Sequence, residues 1–344
     1  MSPVVRGLFY DDFYFPFDFK NRSNNLRPFR SPHGSRIVQS CNGLLLCCSE
    51  TGSEQQRTCI YYVFNPTTNQ YETIPSVKQS LVANHNNNPF TGLAVHHPAC
   101  PTVKKSLVAV HNSNPFMGLA VDPSDCKRYK VVCIYRNLDL MRLHILIYSS
   151  ETKRWKISDE TLDMPKNMPD LTGGVYMNGG IYWSPIDNHV DSWYCFKLDV
   201  EKFQKLGLPS DMKTGRYRKL YGGNVSSAYY FGESNGRLYL VDECRVERFK
   251  LNVYEKMNDG SGWVVKYQVE LRQFMTEFHG YDGNDRLKIL DIVRGEEEKD
   301  TFMVVKFNEV IKSFKLFNKK FKKLFIVPRY NNDRRIIRSY RYVV

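Results

Sequence analysis

Apolar residues along this chain fall into short runs, many of them alternating with polar residues, and turn-forming residues separate the runs. Such runs predict β-strands, whereas the spacing that marks an amphipathic helix is scarce. The pattern therefore predicts an all-β fold. The strands that it predicts cover residues 43–48, 59–64, 129–136, 143–148, 174–177, 180–183, 194–198, 238–241, 246–251, 302–307 and 311–316.

Asn-Gly steps mark two of the turns between these strands. Asn178-Gly179 and Asn235-Gly236 each follow one apolar run and precede another. Both residue types tolerate the positive φ that the tightest hairpin turns require. Residues 174–183 are therefore predicted to form a complete hairpin around the first of these steps.

One hairpin pattern recurs: an apolar run enters a short polar turn, and an aromatic residue and a further apolar residue follow. Tyr148 and Leu198, which are equivalent positions in two copies, are 50 residues apart, and Leu251 follows Leu198 by 53. Repeats of about 50 residues built from small antiparallel sheets are typical of kelch-like propellers. We therefore predict a kelch-like β-propeller of about six four-stranded antiparallel blades. The five copies run from Tyr62 to Ile74, Leu146 to Ile157, Phe196 to Leu206, Phe249 to Val265 and Phe314 to Leu324.

The aromatic residue after each turn is expected to pack in the core between neighbouring blades rather than to contact a ligand. These residues are Tyr71, Trp155, Phe203, Trp263 and Phe321. The high contents of tyrosine and phenylalanine, 22 and 21 residues, favour β-structure throughout the chain.

Residues 77–100 and 103–126 are near copies of each other, with 16 identities in 24 positions. The segment occurs only twice, so it is not the period of a solenoid, which needs about three copies or more. We interpret it as either a recent tandem duplication or an artefact of the gene model. Only the second copy leads into a convincing strand, at residues 129–134. The first copy is expected to form an extra loop or a displaced strand, which a surface loop tolerates at small entropic cost.

The chain carries a formal net charge of +13, and the basic excess is greatest between Lys312 and Arg341. Many of these basic residues alternate with apolar residues, as in a hairpin with one solvated face, and lysines on an edge strand also oppose unwanted pairing. The alternative is that this basic C-terminal region binds nucleic acid or an acidic partner. No DNA- or RNA-binding motif accompanies the charge, so we favour the solvated face.

The nine cysteines are an odd number with no C-x-x-C pair, and several lie within apolar runs. They are expected to be buried free thiols rather than disulfides or zinc ligands, so we predict no metal site.

No apolar run approaches the ~18 residues of a membrane span, and residues 1–19 lack the pattern of a secretory signal. We therefore expect no membrane association and a location in the cytosol, the nucleus or both.

Motifs of catalysis are absent from the sequence. It contains no H-E-x-x-H, G-x-S-x-G, P-loop or G-x-G-x-x-G pattern. The single adjacent histidine pair, His96-His97, falls in the duplicated segment. The acidic run from Glu296 to Asp300 is expected to be a solvated turn. We predict neither catalytic residues nor a cofactor, and we expect a binding protein rather than an enzyme.

Six segments of the chain together resemble the F-box-associated domain of plant F-box proteins, of the large family that includes the self-incompatibility-locus type. They occur in that family's order, and the likeness continues more weakly towards the C-terminus. Each segment alone is a weak signal, but the ordered set is specific. The segments are QSCNGLLLC at 39–47, VFNPTT at 63–68, GLAVDP at 118–123 before YKVV at 129–132, IYSSET at 147–152 before Trp155, GVYMNGGIYW at 174–183 and GESNGRL at 232–238.

The resemblance implies a propeller over residues 37–328 that captures a target protein for a cullin-type ubiquitin ligase. In that family an F-box precedes the propeller and docks on the Skp-type linker of the ligase. Residues 1–36 have no F-box pattern and resemble the linker that follows an F-box, and residues 329–344 form a basic tail. We therefore expect a protein-interaction module whose target the sequence does not name, and no stable complex of this chain with the Skp-type linker.

Overall fold

The structure is a computed structural model that describes residues 5–10, 13–17, 27–52, 58–77, 115–137, 141–163, 174–183, 192–209, 230–243, 250–257, 262–278, 287–327 and 339–343. Within these residues, 24 strands form six four-stranded antiparallel sheets. The predicted all-β propeller of six four-stranded blades is confirmed. The chain divides into two compact units, residues 31–183 with 194–204, and residues 1–30, 184–193 and 205–344.

The unit of residues 31–183 and 194–204 holds blade 2, blade 3 and most of blade 4. In these blades, strands that follow each other in sequence are neighbours in the sheet. Blade 2 consists of β4 (Arg36–Cys41), β5 (Leu44–Thr51), β6 (Thr58–Asn65) and β7 (Gln70–Ile74); blade 3 of β8 (Phe116–Val121), β9 (Tyr129–Asn137), β10 (Arg142–Ser149) and β11 (Arg154–Asp163); and blade 4 of β12 (Val175–Met177), β13 (Gly180–Trp183), β14 (Ser192–Lys197) and β15 (Lys202–Gly207).

The other unit holds blades 1, 5 and 6 and the remainder of blade 4. Its described helix, α1 (Leu271–Glu277), follows blade 5, and no described helix is long and apolar enough to cross a membrane. Blade 1 consists of β1 (Val5–Tyr10), β2 (Phe13–Pro16), β3 (Arg27–Pro28) and β24 (Ser339–Val343); blade 5 of β16 (Tyr230–Ser234), β17 (Arg237–Glu243), β18 (Lys250–Lys256) and β19 (Trp263–Glu270); and blade 6 of β20 (Lys288–Val293), β21 (Phe302–Phe307), β22 (Val310–Lys315) and β23 (Phe321–Ile326).

Blade 3 buries side chains on both of its faces. Successive side chains of a strand point to opposite faces, so a continuous apolar run serves a sheet that is covered on both sides. Val131 and Cys133 of β9 belong to a core that blade 2 shares, whereas Val132 and Ile134 belong to a core that blade 4 shares. The uninterrupted run at residues 131–134 therefore reflects packing between two neighbouring blades.

The predicted hairpin at residues 174–183 is confirmed. Met177 of β12 pairs with Gly180 of β13, so Asn178 and Gly179 alone form the turn. Both have positive φ, 46° and 73°, as the tightest hairpin turn demands. The Asn235-Gly236 step makes the same turn between β16 and β17, with φ of 49° and 71°.

The five recurring hairpins are the third and fourth strands of blades 2 to 6. One boundary differs from the prediction. The pattern ended a strand near residue 251 and began a turn at Asn252, but β18 starts at Lys250 and continues to Lys256. Asn252 is buried, and its amide donates to the hydroxyl of Tyr254 over 3.1 Å. A satisfied polar group can lie inside a strand, so its polarity misled the sequence pattern.

Four of the five aromatic residues after these turns are buried or half-buried, as predicted: Trp155, Phe203, Trp263 and Phe321. Tyr71 is different, because 48% of it is exposed. Its ring packs at the surface against the rings of His33 and Tyr62, at centroid distances of 5.3 and 5.7 Å. The prediction of core packing is therefore wrong for Tyr71.

Blade 1 draws its strands from both ends of the sequence. β24 pairs antiparallel with β1, with Leu8 opposite Arg341 and Tyr10 opposite Ser339. Local sequence patterns predict that residues 1–36 and 329–344 lie outside the propeller, whereas β1 to β3 and β24 form one of its blades. Local patterns do not reveal this arrangement, because the two partners are separated by almost the whole chain.

The second copy of the duplicated segment contains β8, and β9 follows it, so the strand predicted after that copy is confirmed. The fate predicted for the first copy lies outside the described residues, as do His85, His96, His97 and His111.

Candidate functional site

Blades 2 and 3 are aligned by side chains of β4 and of the turn that follows it. Gln39 of β4 hydrogen-bonds to the backbone of Leu119 in β8, and Asn42, directly after β4, donates to the carbonyl of Val121, further along β8. β4 and β8 therefore run side by side in the same direction. Equivalent ends of the strands of the two blades consequently lie on the same side of the unit.

The two sides of these blades differ in their connections. Compact turns join the first strand to the second and the third to the fourth on one side, whereas the longer links from β7 to β8 and from β11 to β12 leave from the other. Loops on a rigid scaffold commonly carry binding residues. We call this second side of blades 2 and 3 the loop edge. It is defined by Arg36, Glu50, Cys59, Arg136, Met141 and Arg142.

In blade 3, aromatic rings support the basic residues of the loop edge. The guanidinium of Arg136 lies 4.8 Å from the ring centroid of Phe116, which is a cation–π contact. The ring of His144 stacks on Tyr135 at 5.2 Å, and its Nε2 has no hydrogen-bond partner among the residues that the structure describes. Burial, and secondarily the charge of Arg142, lowers the pKa of His144. The histidine is therefore neutral at neutral pH, and the positive charge here belongs to arginines.

Met141 and Arg142 present an apolar and a cationic group side by side to solvent. Met141 is 46% exposed. Arg142 lies 3.5 Å from the carboxylate of Asp163, whose side chain is 92% exposed, so this ion pair is weak. Methionine and arginine are enriched at protein interfaces. The loop edge of blade 3 is therefore suited to a partner that offers an acidic and an apolar group.

In blade 2, two thiols and a carboxylate lie together at the loop edge. The ligand-forming atoms of Cys48, Glu50 and Cys59 all lie within 4.8 Å of one another. The carboxylate of Glu50 also accepts a hydrogen bond of 3.1 Å from Nε of Arg36. A hydrogen bond between the two thiols lowers the pKa of Cys59 to about 7 and raises that of Cys48. Cys59 is half-buried, so its thiolate is accessible from solvent.

No sequence motif indicates this cluster or any other contact residue. Glu50 pairs with Cys59 across the β5–β6 hairpin, and Cys48 lies two residues along β5 on the same face. Cys48 and Cys59 are 11 positions apart in sequence, which matches no zinc motif. The alternation of Cys48 and Glu50, combined with the register of a predicted hairpin, is the signal that would have found the cluster.

A charged contact holds the outer strand of blade 2 to blade 3. The carboxylate of Glu72 accepts hydrogen bonds of 2.7 Å from Tyr129, 2.8 Å from Tyr148 and 2.6 Å from Lys153. Partial burial alone would raise the pKa of Glu72, but these three donors outweigh burial and lower it. This contact lies on the side of the compact turns, and together with Gln39 it fixes blade 2 to blade 3, the two blades that carry the loop edge.

The basic C-terminal region is partly neutralised by neighbouring acidic groups. Nζ of Lys312 donates to the carboxylate of Glu277 over 2.6 Å, and Nζ of Lys315 donates to Asp300 over 3.0 Å. The predicted solvated face is confirmed for four exposed lysines of the β22–β23 hairpin. They are Lys319, Lys320, Lys322 and Lys323.

Arg341 of β24 is half-buried rather than solvated, with only 10% of its side chain exposed. Its Nε donates to the carboxylate of Asp291 over 3.0 Å, and its Nη2 donates to the carbonyl of Ile292 over 2.8 Å. A further carboxylate, from Glu233, lies 3.6 Å away. Burial by itself would lower the pKa of Arg341, but Asp291 and its other partners raise it above its ordinary value. This arginine fastens β24 to blades 5 and 6 within its unit.

Comparison with known proteins agrees with this architecture. The sequence profile of the F-box associated beta propeller domain matches residues 15–332. F-box protein At5g07610 of Arabidopsis thaliana is 23% identical over 304 residues, which is 84% of this chain and 63% of that protein. The chain therefore spans less than two thirds of the length of this relative.

Two solved structures are similar to this chain at low identity. A chain of a nidogen–laminin complex has 10% identity and a TM-score of 0.46, with 98% of each chain covered. The extracellular domain of a one-component system protein from B. thetaiotaomicron has 8% identity and a TM-score of 0.38, covering 87% of this chain and 29% of that one. Neither likeness bears on function.

The profile match covers most of the chain, and the described strands of blades 2 to 6 lie within it. Families of F-box associated β-propellers are typically non-catalytic adaptors that recognise proteins. On these grounds, the chain belongs to the F-box associated β-propeller domain family.

Proposed function

We propose that this chain is the substrate-recognition module of an adaptor for a cullin-type ubiquitin ligase, and that it binds its target protein without catalysis. The match of the F-box associated domain over residues 15–332 carries the proposal. Among the described residues, both histidines contact tyrosine rings, which supports binding rather than acid–base chemistry. The seven described cysteines are free thiols, which agrees with the cytosolic or nuclear location that we propose.

The loop edge of blades 2 and 3 is the surface that we assign to the target. Gln39 and Glu72 fix blade 2 to blade 3, and Met141 and Arg142 offer apolar and cationic groups to a partner. A rigid scaffold lowers the entropic cost of binding, because few groups have to be ordered when the partner arrives.

Capture of targets in plant cells tests this function. An F-box fused ahead of residue 1 would link the chain to the ligase, and a proteasome inhibitor would keep captured targets intact. Mass spectrometry of the co-purified ubiquitinated proteins should then show a defined set bound to the fusion. The double variant Met141→Glu/Arg142→Glu should reduce their capture about tenfold, as loss of a central contact does.

A matched control changes two charges elsewhere. Lys322→Glu/Lys323→Glu alters an exposed strand of blade 6 and should leave capture unchanged. Equal capture by both double variants would remove the loop edge as the target site. If the fusion enriches no ubiquitinated protein over an F-box alone, the proposed function fails.

We further propose that this chain alone forms no stable complex with the Skp-type linker. The described parts of residues 5–28 are strands of blade 1, which supports this proposal because an F-box is helical. In a pull-down, the chain alone should not retain the linker, whereas the F-box fusion should. Retention by the chain alone would contradict the proposal.

A second candidate function uses the exposed lysines of the β22–β23 hairpin to bind nucleic acid or an acidic partner. The cluster of four exposed lysines within one turn and strand favours it. Such binding would weaken steeply with salt, because each neutralised phosphate releases counterions. Titration with a fluorescent oligonucleotide at several salt concentrations separates the two candidate functions, because target capture through the loop edge does not require oligonucleotide binding.

A further inference from the structure

Cys48, Glu50 and Cys59 share one face of the β5–β6 hairpin of blade 2. Glu50 lies directly opposite Cys59, and Cys48 lies diagonally across from Cys59 because its own partner is Tyr61. The sulfur and oxygen atoms of the three residues are all within 4.8 Å of one another. Three potential metal ligands therefore converge near the end of two paired strands.

The geometry of the hairpin favours a metal bridge over a disulfide. Diagonal partners in an antiparallel pair have Cα atoms about 7–8 Å apart, whereas a disulfide usually needs less than about 6.8 Å. A tetrahedral zinc ion with Zn–S bonds of about 2.3 Å holds its sulfur ligands about 3.8 Å apart. Small side-chain rotations from the present spacing suffice for that, and the backbone need not move.

The charges around the cluster suit a divalent cation. Two thiolates and one carboxylate together carry three negative charges, which a zinc ion and the guanidinium of Arg36 balance completely. Arg36 donates to Oε1 of Glu50 over 3.1 Å, so it orients the carboxylate as outer partners of metal ligands do. Thiolate sulfur also selects zinc over the hard ions magnesium and calcium.

Against the expectation from the sequence that the cysteines bind no metal, we propose that Cys48, Glu50 and Cys59 bind a zinc ion, with Arg36 positioning Glu50 and with water completing a tetrahedral site. On binding, each thiol releases one proton to solvent and forms one Zn–S bond, and no oxidation occurs. The ion joins β5 to β6 where their connection leaves blade 2, and so it stabilises the loop edge. The inference goes beyond the proposed function, because it requires neither a target nor a ligase.

Cobalt(II) titration of the full chain in reducing buffer tests the site. Thiolate-bound tetrahedral cobalt should produce an intense near-ultraviolet charge-transfer band and visible d–d bands, saturating at one ion per chain. Zinc should then remove these bands by displacement. Zinc should also raise the unfolding temperature in proportion to the logarithm of its free concentration.

Four single variants identify the ligands. Cys59→Ser and Cys48→Ser should abolish the charge-transfer band, and Glu50→Gln should weaken binding. Arg36→Gln should weaken it about 10- to 100-fold, the usual effect of losing an outer partner. Cys126→Ser is the matched control, because Cys126 is an exposed thiol of blade 3, and it should bind cobalt as the unaltered chain does.

Three outcomes would overturn the site. They are an undiminished band in Cys59→Ser, loss of the band in Cys126→Ser, and a Cys48–Cys59 disulfide that persists in reducing buffer, which a thiol count would reveal. Cys48 is buried and its variant could misfold, whereas Cys59 is half-buried. Near-ultraviolet circular dichroism checks whether each variant folds. If Cys48→Ser misfolds, the cobalt spectrum of Cys59→Ser alone decides whether the site exists. Target capture by the F-box fusion is measured separately, so the two proposals fail independently.

Discussion

Gln39 and Arg341 each fasten an edge strand of one blade to a neighbouring blade, β4 in blade 2 and β24 in blade 1. They do so with different chemistry. The neutral amide of Gln39 makes two hydrogen bonds to the backbone of Leu119, at 2.8 and 2.6 Å, so it replaces a piece of strand pairing. Arg341 instead brings a buried positive charge to the carboxylate of Asp291 and to a backbone carbonyl. One contact is neutral and the other is ionic.

The difference follows from how each strand is anchored. β4 continues directly into the hairpins of blade 2, so its position is already restrained on both sides by the chain. β24 follows every other described strand, and it pairs with β1 alone. A buried ion pair gives a single strict geometry, since any misplacement leaves charges unpaired. The comparison teaches that a charged contact is used where the chain itself provides the least restraint.

Removal of Arg341 should have the largest effect on stability. Arg341→Met keeps much of the side-chain volume but leaves the buried carboxylate of Asp291 without its cation, which should cost about 3–5 kcal/mol of unfolding free energy. Urea denaturation measures it. The double variant Arg341→Met/Asp291→Asn removes both charges and should recover part of the loss. If the single variant costs less than about 1 kcal/mol, the ionic contact does not anchor β24.

Loss of the neutral contact should cost less. Gln39→Leu leaves the backbone N–H and C=O of Leu119 buried and unpaired, so we expect a loss of about 1–3 kcal/mol. The control Gln70→Leu changes an exposed glutamine of β7 and should alter stability by about 0.5 kcal/mol or less. A larger loss for Gln39→Leu than for Arg341→Met would invert the comparison.

Glu72 should give the smallest effect and one that depends on pH. Its pKa in the folded chain lies below the ordinary value of 4.5, so the stabilisation is complete above that value and is lost as pH falls towards the folded pKa. Because the side chain is 33% exposed, Glu72→Gln should cost less than about 1 kcal/mol at pH 7. Unfolding curves at successive pH values should show a shallower acid dependence in the variant. Equal slopes for both proteins would contradict this assignment.

Sequence patterns predicted the fold well wherever the relevant contacts are local. The hairpin around Asn178 and Gly179 depends on neighbouring residues and on the positive φ that they tolerate, so it was predicted correctly. The continuous apolar run of β9 also indicated a strand. The strand was misjudged at Asn252, because the partner that satisfies its buried amide belongs to the three-dimensional structure rather than to the pattern.

Contacts between distant residues were beyond the sequence. Nothing near Arg341 indicates that Asp291 and Glu233 will surround it, and a basic residue among other basic residues is ordinarily solvated. The cluster of Cys48, Glu50 and Cys59 is easier to predict, because it depends only on the strand register of one hairpin. Sequence motifs describe the spacing of residues along the chain. The Arg341 contact and the thiol and carboxylate cluster instead depend on which residues the fold brings together.

The division of blade 1 between the two ends of the sequence bears on how the protein is made. Ribosomes release β1 to β3 before any other strand, yet β24 emerges after all of them. Until then, β1 has an unpaired edge, which is a template for pairing with other chains. A nascent chain that stalls before residue 339 would retain that edge. We therefore expect a chain that ends just before residue 339 to aggregate more readily than the full chain does.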